Sequence, residues 1–130
     1  MLSIEVVAVV AAYLHDALSA ARHVAPPTWL HGDLQGGNLL IESGRLSAVI
    51  DFGLCGVGDP ACDLMVAWSV LTKDGRGEFR EHLTCDDASW ARGRGWALSV
   101  ATIALDYYRS RNPHLSRISR RTLDAILQDD

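Results

Sequence analysis

Apolar residues at Val7, Val10, Ala11, Leu14, Ala17, Leu18 and Ala21 recur at the spacing of one helical face. With Ser3 as N-cap they predict a helix over about residues 4–24, ended by Pro26-Pro27. A residue before proline is pushed out of the helical region, so the approach to His31 is extended or turned. The pattern then changes period. Leu39–Glu42 and Arg45–Ile50 are short apolar-rich runs parted by Ser43-Gly44, which predicts a β-hairpin. From Asp59 strand signals vanish, and helices are predicted at about 60–73, 76–83, 87–110 and 114–128, with Asn112-Pro113 breaking the last pair. The expected architecture is one domain over 1–130, mostly α with a small β-hairpin (α+β), without repeat or linker.

Composition narrows the function classes without choosing one. An apolar share of 48% over 130 residues is that of an ordinary globular chain with one core. A net charge of -4 and scattered Lys and Arg give no electrostatic reason for a nucleic-acid partner. Cys55, Cys62 and Cys85 are odd in number and form no CxxC pair, which argues for reduced thiols over a disulfide framework or zinc site. No basic residue precedes the apolar run Val6–Leu14, which is too short to span a bilayer. The expectation is a cytoplasmic protein without membrane association.

Two polar stretches carry the chemistry: HGDLQGGNLL (31–40) and VIDFGLCGVGDPACDL (49–64). An antiparallel hairpin sets its first residue beside its last, so Asn38 and Asp51 are expected as neighbours, with Asp33 one loop away. Hard oxygen donors so grouped suit a hydrated divalent ion such as Mg²⁺, which takes few protein ligands and completes its shell with water and substrate phosphates. The bland alternative is turn chemistry, since Asp and Asn favour loops for backbone reasons.

HGDxxxxN, an apolar hairpin, then DFG and GDPxxDL resemble the C-terminal lobe of the aminoglycoside phosphotransferase (APH) family, whose fold is related to protein kinases. The resemblance implies a catalytic loop at 31–38, a DFG-like motif at 51–53, Asp33 as the catalytic residue that accepts or orients the substrate hydroxyl proton, and Asn38 and Asp51 as ligands of Mg²⁺ on ATP. His31, Gly53 and Asp63 would support the site structurally, and substrate-binding residues stay unknown. The implied function is transfer of the ATP γ-phosphate to a small-molecule hydroxyl, with aminoglycosides, and so antibiotic resistance, leading by family name. Gly32 stands where many protein kinases carry an Arg, and Asp59-Pro60 follows Gly53 too soon for a long activation loop. Residues 1–30 read as one helix without Lys, and no GxGxxG or Walker spacing occurs, so the chain reads as the catalytic lobe with the N-terminal lobe absent. The alternatives are a non-catalytic remnant, a binding module, or half of a split kinase for another alcohol such as a macrolide, choline or homoserine. A lobe face left bare would favour self-association as a homo-oligomer.

Other residues have quieter readings. Asp63 is either a first-turn helix acid or a brace for the catalytic loop, and Asp59 an N-cap before Pro60. Cys55 and Cys62 are expected in the core, as are Trp68, Trp90, Trp96, Tyr107 and Tyr108 in preference to a substrate pocket. Asp86 and Asp87 open a helix, Arg117, Arg120 and Arg121 form a solvated face, and Asp129 and Asp130 are either a solvated terminus or contacts for a cationic substrate.

Overall fold

Three caps set where the later helices begin. Thr72 accepts from Gly75 N at 3.2 Å and opens α3 (Lys73–His82); Asp86 accepts from Ser89 N at 2.6 Å and opens α4 (Asp87–Tyr108). Asn112 accepts from both His114 N and Leu115 N at 3.1 Å, with Pro113 as the first helical residue of α5 (Pro113–Leu127). These features come from a computed structural model that describes residues 4–129. Ser3 and Asp130 lie outside the described residues.

Upstream, α1 (Ile4–Ser19) stops earlier than expected, before the prolines, and residues 20–27 run irregularly. Its inner face is also rotated from the one the periodicity suggests. Tyr13 is buried and Val10 packs on the core, whereas Leu18 is 80% exposed. Two contacts account for that rotation. The Arg94 guanidinium lies 4.2 Å from the Tyr13 ring centroid, and Gly95 has no Cβ to collide with the Ala17 methyl, so α1 approaches α4 closely along this line.

The hairpin forms as β2 (Leu39–Glu42) and β3 (Arg45–Val49), with Leu39 opposite Val49 and Glu42 opposite Arg45. Ser43 and Gly44 both take positive φ, 50° and 75°, as a two-residue primed turn demands. A second antiparallel pair joins β1 (Thr28–Leu30) to β4 (Gly56–Gly58), which the sequence pattern did not reveal. Three-residue strands are too short to show a period, and glycines at both ends of β4 oppose a strand assignment. The predicted helix at 60–73 is instead a 3-10 helix, Pro60–Met65, followed by the single turn α2 (Val66–Ser69).

Helix α4 is the scaffold, packing against α1, α5 and the 3-10 helix. The core closes over Trp68, Leu98 and Ile126, and Trp68 meets Trp90 with centroids 4.7 Å apart. Gly93 permits the crossing of the 3-10 helix, since a Cβ there would stand 2.5 Å from Leu64 Cβ. Trp96 and Tyr107 are about half exposed and so are not core. Cys55 is likewise exposed, a correction to its expected place in the core, while Cys62 and Cys85 are half-buried. Asp129 is neither solvated nor a free carboxylate: it accepts from Trp68 Nε1 at 2.8 Å and pairs with the buried Arg76 Nε at 3.1 Å. The end of the described chain is thereby bolted to α2 and α3. Asp129→Ala leaves Arg76 buried beside an orphaned position, and a urea titration is expected to show a loss of about 3 kcal/mol or more.

Candidate functional site

The loop at 31–38 enters from β1 and is held from the far side by the 3-10 helix. Asp63, on that helix, directs one carboxylate oxygen to each of two successive loop amides: His31 N donates to Oδ2 at 2.7 Å and Gly32 N to Oδ1 at 2.9 Å. Two charge-assisted hydrogen bonds from one carboxylate fix the loop's position and its tilt together. Gly32 has φ 85°, and a Cβ there would collide with the Leu54 carbonyl, so an Arg at this position is sterically barred in this backbone.

His31 is buried and bridges the two polar stretches. Its Nε2 lies 2.8 Å from the Ile50 carbonyl, while Asp33 N donates to Nδ1 at 3.1 Å. Those partners assign the proton to Nε2, the tautomer that lets one ring donate to Ile50 and accept from Asp33. Phe52 covers the imidazole with centroids 4.7 Å apart. The residue before Asp51 and the backbone of Asp33 are thus hung on one ring.

Asn38 ends the 3-10 turn Gly36–Asn38 and is buried. Its Nδ2 donates to the Asp33 carbonyl at 2.8 Å and to Asp33 Oδ2 at 3.2 Å, and its own carbonyl accepts from Ile50 N at 2.9 Å. Because the amide nitrogen is spent on Asp33, the atom Asn38 can offer a cation is Oδ1. The Ile50 bond extends the hairpin ladder past Leu39 and Val49 and delivers Asp51 at its mouth. Asp51 is exposed and sits at φ 59°, a left-handed conformation uncommon for a residue with a side chain. A Cβ on Gly53 would stand 3.4 Å from Asp51 Oδ1, so glycine leaves that flank of the carboxylate open. Among the described residues no three His, Cys, Asp or Glu side chains converge on a metal position. An amide oxygen and a carboxylate are nonetheless a fitting donor set for Mg²⁺, which seldom takes more from a protein.

Asp33 has a second set of neighbours. It lines, with Gln35, a cavity of about 190 Å³ whose walls are Met65 and Ser69 on one side and residues of α4 and α5 on the other. Tyr108 and Ala101 belong to α4's share and Ile118 to α5's. The Ser69 hydroxyl is buried without a hydrogen-bond partner among the described residues. Nothing in the linear pattern marks this cavity, because its lining is spread over five segments and reads as ordinary helix core.

Neighbouring charges serve the scaffold. Asp59 caps the 3-10 helix through Ala61 N at 3.0 Å and receives Arg92 Nε at 2.8 Å; Arg92 also reaches Ala21 O. Burial alone would raise the Asp59 carboxyl, but these bonds, the Arg92 charge and His23 hold it below the ordinary value. Burial, aided by Asp63, Asp59 and Asp33, pushes the Cys62 thiol up and away from thiolate chemistry.

A family model described as the phosphotransferase enzyme family (APH) matches residues 4–96. Among solved structures the chain is similar to a thermostable mutant of aminoglycoside phosphotransferase APH(4)-Ia in ternary complex with AMP-PNP and hygromycin B, at 21% identity and TM-score 0.55, covering 98% of this chain and 45% of that one. It is also similar to ADP-bound APH(2'')-Ib, at 23% identity and TM-score 0.50, covering 95% and 45%. The APH(2'')-IIa complex with gentamicin follows at 19% and 0.51, covering 98% and 43%. The chain therefore spans less than half the length of these structures, and the likeness shows the fold. No curated protein matches it.

Because Asp59 is depressed in the folded state, its contribution to stability is complete above the ordinary Asp value of 3.8 and is lost as pH falls through the lower folded value. Thermal melts between pH 7 and pH 2 are expected to fall on that lower limb, and Arg92→Ala should flatten Asp59's share of the fall. A Gly32→Ala chain is expected to be destabilised by at least about 1 kcal/mol, since it combines strain at positive φ with a backbone collision. Urea midpoints measure it.

Proposed function

The chain belongs to the phosphotransferase enzyme family, and we propose that it carries the hydroxyl-activating and metal-binding half of an ATP- and Mg²⁺-dependent small-molecule kinase. One observation supports this reading above the rest. Asp33 is shared between two surroundings: its Oδ2 is hydrogen-bonded to Asn38, and the same residue lines the cavity. A carboxylate so placed can serve an acceptor hydroxyl on one side while the phosphates lie on the other. Two of the similar structures hold a nucleotide or its analogue, AMP-PNP and ADP, which supports ATP as the co-substrate.

Asp33 takes up the proton of the acceptor O–H as the oxygen bonds to the γ-phosphorus, the bond from that phosphorus to the β,γ-bridging oxygen breaks, and ADP departs with the electron pair. Asn38 Oδ1 and the Asp51 carboxylate would hold Mg²⁺, which would supply neutralisation of the phosphate charge. His31 and Asp63 touch no reactant; they set the backbone from which Asp33 projects. Closure over the nucleotide is assigned to polypeptide beyond these residues, whose single lysine is Lys73 on α3. An apolar surface at the strands, with Trp29 78% exposed opposite an exposed Val57, is where that covering segment would dock, and where a homo-oligomer would form in its place.

Paramagnetic Mn²⁺ with ATP tests the metal assignment on the chain itself. Line broadening is expected at the Asn38 side-chain amide and at the amides around Asp51. Asp51→Gly should abolish it while leaving stability equal or higher, because glycine accepts φ 59° without strain. Broadening centred elsewhere would remove Asn38 and Asp51 from the reading. The chain alone is expected to show no ATP-dependent phosphorylation of alcohols. With a covering lobe restored, Asp33→Ala should lower turnover by a factor of about 10² to 10⁴ and spare the Mn²⁺ signal.

A further inference from the structure

We infer that the acceptor molecule meeting Asp33 has an uncharged, apolar body, a small aliphatic or alicyclic alcohol in place of a polycationic amino sugar. The inference rests on the reading of Asp33 as the residue that receives the hydroxyl proton. Its observations are the cavity's size, its walls and the state of the nearby carboxylates.

The cavity holds about 190 Å³. An apolar cavity of about 150 Å³ is enough for a benzene ring, so a body of six or seven carbons fits. Met65, Ala97, Ala101, Leu115 and Ile118 give walls without charge, and Asp33 is the only charged residue among the described lining. The polar wall groups are largely occupied: Ser119 Oγ donates to Leu115 O at 3.0 Å and Thr122 Oγ1 to Ile118 O at 2.9 Å.

An amino sugar brings several ammonium groups, each of which must exchange water for a carboxylate or carbonyl to enter such a space. No second acid is among the described lining, and the acids of the scaffold are already engaged. Asp63 holds the loop amides, Asp59 holds Arg92, and Asp129 holds Arg76 and Trp68. One carboxylate, Asp33, cannot both take the hydroxyl proton and compensate several cations. A methylene chain loses nothing on entry and gains about fourfold in affinity for each carbon that leaves water.

The test is a titration of the isotope-labelled chain, observed by amide chemical shifts, with 1-propanol, 1-butanol, 1-hexanol and cyclohexanol against 2-deoxystreptamine. The alcohols are expected to shift the amides of Ala101, Ala104 and Ile118, with affinity rising about fourfold per methylene up to six carbons, and 2-deoxystreptamine is expected to leave those amides in place. Ala104→Phe, which fills the cavity, should abolish the alcohol shifts. If that variant loses its dispersed spectrum, Val100→Asp at the half-exposed wall replaces it and should weaken hexanol several-fold. Tighter binding of 2-deoxystreptamine than of hexanol at these amides, or affinity independent of chain length, overturns the inference. No nucleotide enters this titration, so its failure leaves the phosphotransferase reading intact, and loss of the Mn²⁺ signal at Asn38 and Asp51 would fell that reading with the alcohol result untouched.

Discussion

The Asp63 carboxylate is the interaction on which the site depends. It spans from the 3-10 helix to the amides of His31 and Gly32, and the backbone those amides fix carries Asp33, the residue proposed to face the acceptor. From that anchor the geometry propagates by short steps. His31 ties Asp33 N to Ile50 O, Asn38 ties Asp33 to Ile50 N, and Asp51 follows directly on the tethered Ile50. A carboxylate that receives two amide donors is worth more than two isolated neutral bonds, and it suffers when one is lost because the remaining charge is left partly buried.

The scaffold behind the anchor is rigid where the site needs it. Gly93 lets the Pro60–Met65 helix lie tight on α4, so Asp63 projects from a surface packed against the central helix. At the mouth of the hairpin Asp51 keeps a side chain at φ 59° that glycine would tolerate more easily.

Much of this was legible in the sequence, and for identifiable reasons. Ser43-Gly44 between two apolar runs announces a primed turn, and Asp86 and Asn112-Pro113 announce helix starts, because each signal acts over four residues or fewer; the Thr72 cap escapes, since residue 72 reads as the interior of a helix over 60–73. The His31 to Asn38 and Asp51 to Gly53 stretches stood out because polar residues clustered where apolar periods break. What escaped depends on distant partners. The β1–β4 pair spans residues 28 to 58, the inner face of α1 is chosen by Arg94 and Gly95, and Asp129 finds Trp68 across 61 positions. The single helix expected over 60–73 breaks into a 3-10 helix and one α-turn, a choice of hydrogen-bond register that apolar spacing does not encode.

The account stands on Asp63 as the anchor of the loop, and amide hydrogen exchange reads that bond directly. In the wild-type chain the amides of His31 and Gly32 are expected to be protected, together with Asp33, whose N–H rests on His31. In Asp63→Asn, which keeps the shape and removes the charge and one acceptor, all three should lose protection together while the amides of α4 keep theirs. Rapid exchange at His31 and Gly32 in the wild type, or unchanged protection in Asp63→Asn, would contradict it.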